Sequence, residues 1–226
     1  MSAHFLHHPV RHPLGEEWLM AYAAGALSEG QSLLVASHLS YLDDTASRLA
    51  VAEAAGGALL EAVDPARMAP EALANTLARL DETRQETKAA PRAKDQTNDV
   101  LPPPLRAWLG RGVDELNWSL LGPGMKKVKL WRGGPNDQRL WMLRARPGIE
   151  IPMHGHSGTE LVLVLKGSLE DEHGIFRAGD VEESNDDRIH SLRTGPEEEC
   201  ICLAVTEGPT RFQGWLARAL QPLIGL

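Results

Sequence analysis

Apolar positions in the first third of the chain recur at helical spacing. Between Glu16 and Leu27 they are Trp18, Leu19, Tyr22, Ala23 and Ala26, close to a 3.6-residue period. Pro13 suits an early helix position, where a missing N–H costs nothing. Ser28-Glu29-Gly30-Gln31 fits a capping box that opens a second helix through Leu33, Leu34, His38 and Leu39. A third helix is expected from about Thr45 to Val63, rich in Ala and Leu. A fourth follows Pro70, with Leu73, Leu77 and Leu80 as its stripe. Short helices of this kind predict a compact bundle over residues 1–83.

Residues 84–103 are polar, poor in large apolar side chains, and run into Pro102-Pro103-Pro104. That composition reads as a linker, flexible first and stiffer at the prolines. From about Asn117 onward the texture changes. Short apolar runs (VKLW, RLWMLRA, ELVLVLKG, GIF, CICLAV) alternate with Gly, Pro, Asn and Asp. Each run has strand length, which predicts an all-β sandwich or barrel rather than βαβ units. The fold class expected is therefore α+β: a small helical unit, a linker and a β-barrel.

Charge sharpens this division. The chain of 226 residues carries a net charge of −8. Residues 1–83 hold 4 basic and 11 acidic groups, whereas residues 104–226 hold 15 and 17. The excess negative charge thus lies in the helical part, as in an acidic interaction module. It argues against broad nucleic-acid binding, which needs clustered Lys and Arg. No run of 18 apolar residues suggests a membrane span, and Met1 to His12 lacks the apolar core of a secretory signal, so a cytoplasmic location is expected. The two cysteines, Cys200 and Cys202, cannot build a disulfide framework. Two apart in a strand, they share one face and read as buried thiols, with a redox pair as the alternative.

The sharpest chemical signal is Gly148-x5-His154-x-His156-x3-Glu160-x6-Gly167, followed by Gly179 and His190. His154 and His156 project to one face of a strand. Glu160 opens the next strand, and His190 can close the set from a distant one. Three neutral imidazoles and one carboxylate suit a borderline divalent metal, Zn, Fe(II), Mn or Ni. Glu150, Glu170, Glu172 and His173 are acid–base candidates only by nearness in sequence, and read as solvated strand or turn residues.

The spacing resembles the first motif of the cupin superfamily, G-x5-H-x-H-x3,4-E-x6-G, in every fixed element. The second motif, G-x5-P-x-G-x2-H-x3-N, matches at Gly179 and His190. Asn185, Asp187 and Thr194 stand where Pro, Gly and Asn are usual. Taken whole, the chain is similar to ChrR-type anti-sigma factors, through AYAAGALSEGQSLLVASHLS, GHSGTELVLVLKGSL and CICLAV. The resemblance implies an anti-sigma-like domain over 1–83, a linker over 84–103 and a cupin domain over 104–226. It implies binding of a group IV (extracytoplasmic function, ECF) sigma factor through the helices, with no direct contact to nucleic acid or membrane. It also implies one divalent metal on His154, His156, Glu160 and His190, zinc first among candidates, an oxidative signal perceived with the cupin domain, and room for a cupin-mediated homodimer. A metal-dependent cupin enzyme, a dioxygenase or isomerase, is the alternative class.

One departure matters. The family's N-terminal zinc pattern is an upstream His and then H-x3-C-x2-C. Here His38 holds the His position, but the cysteine positions are Leu42 and Thr45, and the upstream position is Pro13 beside His12. Leucine cannot ligate zinc, which contributes ~10 kcal/mol or more of folding free energy to small zinc domains. The helical part must do without it or recruit His12, His38, Asp43 and Asp44. His4, His7, His8 and His12 read as a tail rather than a ligand set. Trp18, on the first helix, is the position expected to meet a partner.

Overall fold

The computed structural model describes residues 9–86, 100–208 and 211–212. His4, His7 and His8, and residues 87–99 of the expected linker, lie outside these.

Five helices come first: α1 (Glu16–Ala23), α2 (Glu29–Leu39), α3 (Thr45–Glu61), α4 (Ala72–Glu86) and α5 (Pro103–Leu109). Helix α1 starts later than Pro13 suggests: Gly15 is its N-cap, and Glu16 and Glu17 place negative charge at its positive dipole end. Pro13 instead lies in an extended approach whose next residue, Leu14, is buried. The capping box of α2 forms as expected. Gln31 N–H donates to Ser28 Oγ at 3.2 Å, and Ser28 N–H donates to Gln31 Oε1 at 3.1 Å. The proline triplet does not end a stiff spacer; it opens α5, where Pro at the first turn loses no hydrogen bond.

Eleven strands follow among the described residues, in two antiparallel sheets. The first sheet has the order β1-β2-β3-β10-β5-β8: β1 (Ser119–Gly122), β2 (Met125–Gly133), β3 (Gln138–Ala145), β10 (Cys200–Thr206), β5 (Glu160–Lys166) and β8 (Val181–Ser184). The second has the order β11-β4-β9-β6-β7: β11 (Arg211–Phe212), β4 (Glu150–Gly155), β9 (Ile189–Thr194), β6 (Ser168–Asp171) and β7 (Gly174–Arg177). Facing one another, they make the expected β-barrel.

The six-stranded sheet is buried on both faces. Its outer face, with Leu161, Leu163, Leu165, Ile201, Leu203 and Val205, packs against Leu33, Leu34, Leu101 and Leu105 in one continuous core. Its inner face, with Val162, Val164, Cys200, Cys202 and Ala204, packs against Leu169 and Phe176 of the second sheet. Strands covered on both sides lose the alternation of polar and apolar residues, which is why LVLVL (161–165) and CICLAV are unbroken apolar runs. At the end of β5 the chain turns at Gly167, with φ +73°. A Cβ there would lie 2.6 Å from the Glu199 carbonyl oxygen, so only glycine fits.

The helical part is less compact than its sequence suggests. Helix α2 is buried along most of its length, and α1 buries Leu19. The second half of α3 and the α4 stripe are not covered: Leu59, Leu60, Leu73 and Leu77 are 73, 74, 70 and 52 % exposed.

Leu34 is fully buried where α2 meets the sheet. Leu34→Ala should cost about 2–5 kcal/mol. Because helices and sheet share that core, helical circular dichroism and barrel tryptophan fluorescence should fall together in urea. Separate transitions would contradict a shared core.

Candidate metal centre

The four residues singled out by the motif converge inside the barrel. His154 is the penultimate residue of β4 and pairs directly with His190 of β9 in the antiparallel ladder. Glu160 opens β5 on the opposite sheet, and His156 lies in the connection between β4 and β5. One ligand atom from each lies within 4.8 Å of the others, and all four side chains are buried. His156 Nε2 stands 3.0 Å from Glu160 Oε2 and 3.1 Å from His190 Nε2. The imidazole centroids are 4.6 to 5.2 Å apart.

The donor chemistry fits a cation. Two imidazole nitrogens and a carboxylate oxygen face one point, where their lone pairs repel unless a proton or metal lies between them. His154 Nδ1 lies 2.8 Å from the Pro152 carbonyl. Donation from Nδ1–H fixes the tautomer, with Nε2 as the acceptor nitrogen. Burial, opposed by Glu160 and the Pro152 bond, holds the His154 pKa down at about 4. It is therefore neutral at pH 7, as a ligand must be. Burial alone would raise the Glu160 carboxyl. The His156 hydrogen bond and the charges of the three histidines outweigh it and hold it below its ordinary value. This buried group can hold a metal ion in the barrel.

Sequence reasoning missed the support behind His190. Glu182 Oε1 lies 3.4 Å from His190 Nδ1, on the ring edge away from the cluster. Arg188 donates to Glu182 at 3.0 Å and also to Asp171. Burial lowers the His190 pKa, but Glu182 and Glu160 outweigh it and raise it. A carboxylate behind a ligating histidine orients the ring and strengthens it as a donor. Glu182 sits in VEES with no motif to mark it, so only pairing across the barrel reveals it.

The second-motif departures have local replacements. Asn185 Oδ1 accepts the Asp187 N–H at 3.2 Å, closing the turn without Pro or Gly. Thr194 Oγ1 accepts the Ile149 N–H at 2.8 Å and donates to the Arg146 carbonyl at 2.7 Å. Of the acid–base candidates, Glu150, Glu172 and His173 are exposed and Glu170 is half-buried. Cys200 and Cys202 are fully buried, with sulfurs 3.5 Å apart. Their mutual hydrogen bond, then burial, pushes the Cys202 thiol up and away from a reactive thiolate.

At the N-terminal position His38 has other work. It lies in the last turn of α2 and is almost completely buried. Its Nε2 accepts the Leu14 N–H at 3.2 Å, so Nδ1 carries the proton and donates to the Gly179 carbonyl at 2.9 Å. Gly179 has φ +95°, and a Cβ there would press on Tyr41 and Val10 at 3.0 Å. Next to it, Asp180 accepts N–H bonds from Arg11 and His12 at 2.6 and 2.9 Å. The chain before α1 is thereby strapped to the barrel. Leu42 packs on the core and Thr45 Oγ1 donates to the Leu39 and Leu42 carbonyls, while His12 lies against Phe176. Trp18 is half-buried and donates to Glu183 of β8 at 3.1 Å, so it meets the barrel.

Fold and site define a class: a cupin-type β-barrel with a buried His3Glu cluster, carrying helices on its outer sheet. Residues 111–210 match the family model of the ChrR Cupin-like domain. The chain is 38 % identical to the anti-sigma-E factor ChrR of Cereibacter sphaeroides over 94 % of this chain and 97 % of that protein. It also matches the crystal structure of Rhodobacter sphaeroides SigE in complex with the anti-sigma ChrR. That match has a TM-score of 0.73 and 37 % identity, covering 88 % of this chain and 99 % of that one. The chain belongs to the ChrR family of anti-sigma factors.

Two outcomes test this geometry. Glu182→Gln should leave the fold intact and weaken metal retention by about 10–100-fold, read by competition with a chromophoric chelator. Retention equal to the unsubstituted protein would remove Glu182 from the site. His38 supplies the second. Burial, partly offset by the Gly179 bond, lowers its pKa below 6.5. A folded-state value below the unfolded one contributes stability above pH 6.5 that is lost as pH falls. His38→Gln should cost about 1–3 kcal/mol at pH 7, and urea midpoints should show the gap narrowing as pH falls below 6.5. A constant gap would contradict the neutral tautomer.

Proposed function

We propose that this chain sequesters a group IV (ECF) sigma factor in the cytoplasm through helices within residues 1–83. Residues 104–226, reached through residues 84–103, form the cupin domain that reports an oxidative signal. The observation that carries this reading is likeness to an anti-sigma factor across both parts, since it spans 94 % of the chain. The relative of known structure is itself in complex with a sigma factor, SigE.

The surface supports the reading. Val51, Leu59, Leu60, Val63, Met68, Leu73, Leu77 and Leu80 are all exposed. Leu73, Leu77 and Leu80 fall on one helical face, the form of an amphipathic helix that fills a partner's groove. Exposed apolar area of this extent marks an interaction surface. The flanking helices are acidic, which complements a partner with basic, DNA-binding surfaces. No helix among the described residues is long and apolar enough to cross a membrane.

In the barrel, His154, His156, Glu160 and His190 are proposed to bind one zinc ion. Four protein donors around one buried point suit the closed coordination of a structural or sensing zinc. The exposed positions of Glu150, Glu172 and His173 favour a regulator over an enzyme. One equivalent of zinc should copurify with the protein and fall to near zero in His154→Ala; unchanged stoichiometry would refute the ligand set. For the partner, the full chain should bind an ECF sigma factor of the same host at or below about 1 µM. Replacing Leu73 and Leu77 with Asp should weaken this at least about tenfold without lowering the melting temperature. Binding indifferent to that pair would place the interface elsewhere.

A further inference from the structure

The inner face of the six-stranded sheet is arranged in rows set by strand register. One row reads Ser184, Glu160, Thr206, Arg139, Arg132, and the next reads Glu182, Val162, Ala204, Trp141, Lys129. Both rows begin at the His3Glu cluster and end in cations on β3 and β2. Lys127, opposite Leu143, adds another two residues along β2. A cavity of about 470 Å³ opens at this end, lined by Lys129, Trp131, Arg132, Arg139 and Trp141 among others.

The charge here is reversed relative to the rest of the molecule. In a chain of net charge −8, Lys127, Lys129, Arg132 and Arg139 share this end of the sheet, and Asp137 bonds only the two arginines. Asp137 bonds to Arg132 at 2.5 and 2.8 Å and to Arg139 at 2.9 Å. No hydrogen bond or ion pair engages Lys127 or Lys129 among the described residues. Burial, then the like charges of Lys129 and Arg139, hold the Lys127 ammonium below its ordinary value.

Two hydrogen-bond donors in this lining are also unmet. Arg139 Nε and Trp141 Nε1 are both buried with no partner. They belong to residues two apart on β3, on one face and about 7 Å apart. Buried donors without acceptors are rare because each forfeits its hydration. Here they accompany uncompensated positive charge and the Trp141 indole. An acceptor that is anionic and attached to an apolar body satisfies all three features.

We propose that this cavity binds a small organic carboxylate with an apolar body. The carboxylate lies between Arg139 and Lys129, and the body lies against Trp141. Glu160 stands two strands away from Arg139, about 10 Å, so the site is separate from the metal cluster. The proposal is independent of sigma-factor binding.

Isothermal titration of the full, metal-loaded chain with hexanoate, benzoate and 2-naphthoate, each against its primary amide, tests this. At least one acid should bind saturably, about tenfold or more tighter than its amide. Lys129→Glu, at an exposed position without a partner, should abolish that preference while leaving the melting temperature unchanged. Four results would overturn the proposal. In the first, no acid saturates below about 5 mM, leaving a merely hydrated cavity. In the second, acid and amide bind alike. In the third, Lys129→Glu has no effect. In the fourth, binding disappears on chelation yet survives Lys129→Glu, which assigns the carboxylate to the metal instead.

Discussion

Burial of one β-sheet on both faces is the constraint on which the rest of this molecule depends. β5 and β10 present Leu161, Leu163, Ile201 and Leu203 to the helices, and Val162, Val164, Cys202 and Ala204 to the barrel interior. Neither layer can be removed without exposing a continuous apolar surface. This makes the lost N-terminal zinc pattern intelligible. A helical unit that depended on its own small core would need the metal. Here α2 draws its stability from a sheet that the barrel already holds in place, through Leu34, Leu101 and Leu105. Hydrophobic burial takes over a task that coordination performs in zinc-stabilised domains.

His38 shows the exchange at the level of one side chain. A residue at the family's ligand position instead uses both ring nitrogens on backbone groups, Leu14 N–H and the Gly179 carbonyl. The neutral imidazole is a cross-link between the approach to α1, helix α2 and the barrel. Five consecutive barrel residues then face two ways. Gly179, Asp180, Val181 and Glu183 meet the helical part, and Glu182 stands behind His190. β8 and the turn before it therefore touch both the metal cluster and the helices, because alternate side chains of a strand point to opposite faces.

The inner face of the six-stranded sheet has two electrostatic regions. Around Glu160 three imidazoles converge on a carboxylate, a set that asks for a cation. Across the same sheet, Lys127, Lys129, Arg132 and Arg139 outnumber Asp137, a set that asks for an anion. Both regions lie on one sheet face, separated by about two strand spacings. The helices outside are acidic and carry an uncovered apolar stripe, so the chemistry of the sheet's inner face and the partner surface occupy different layers.

Much was readable along the chain. Helical periodicity, the Ser28–Gln31 capping box and the strand-length apolar runs follow from local rules, and the structure contains all of them. The His154, His156, Glu160 and His190 cluster was also legible, because a motif of short spacing records which side chains share a strand face. Other features were beyond any local pattern. Leu73, Leu77 and Leu80 make a stripe whether a helix faces a core or a partner; periodicity shows amphipathicity but not what covers it. Pro13 and the proline triplet were ambiguous, since proline suits both a helix start and an extended segment. Glu182 behind His190, Asp180 on the Arg11 and His12 amides, and the cation rows of β2 and β3 arise from strand pairings far apart in sequence. The sequence by itself determined which elements form and which ligand types are available, because those depend on neighbours within a turn or two. Only the tertiary structure decided which faces are shared, which donors go unmet and where His38 bonds, because those depend on register and packing between distant segments.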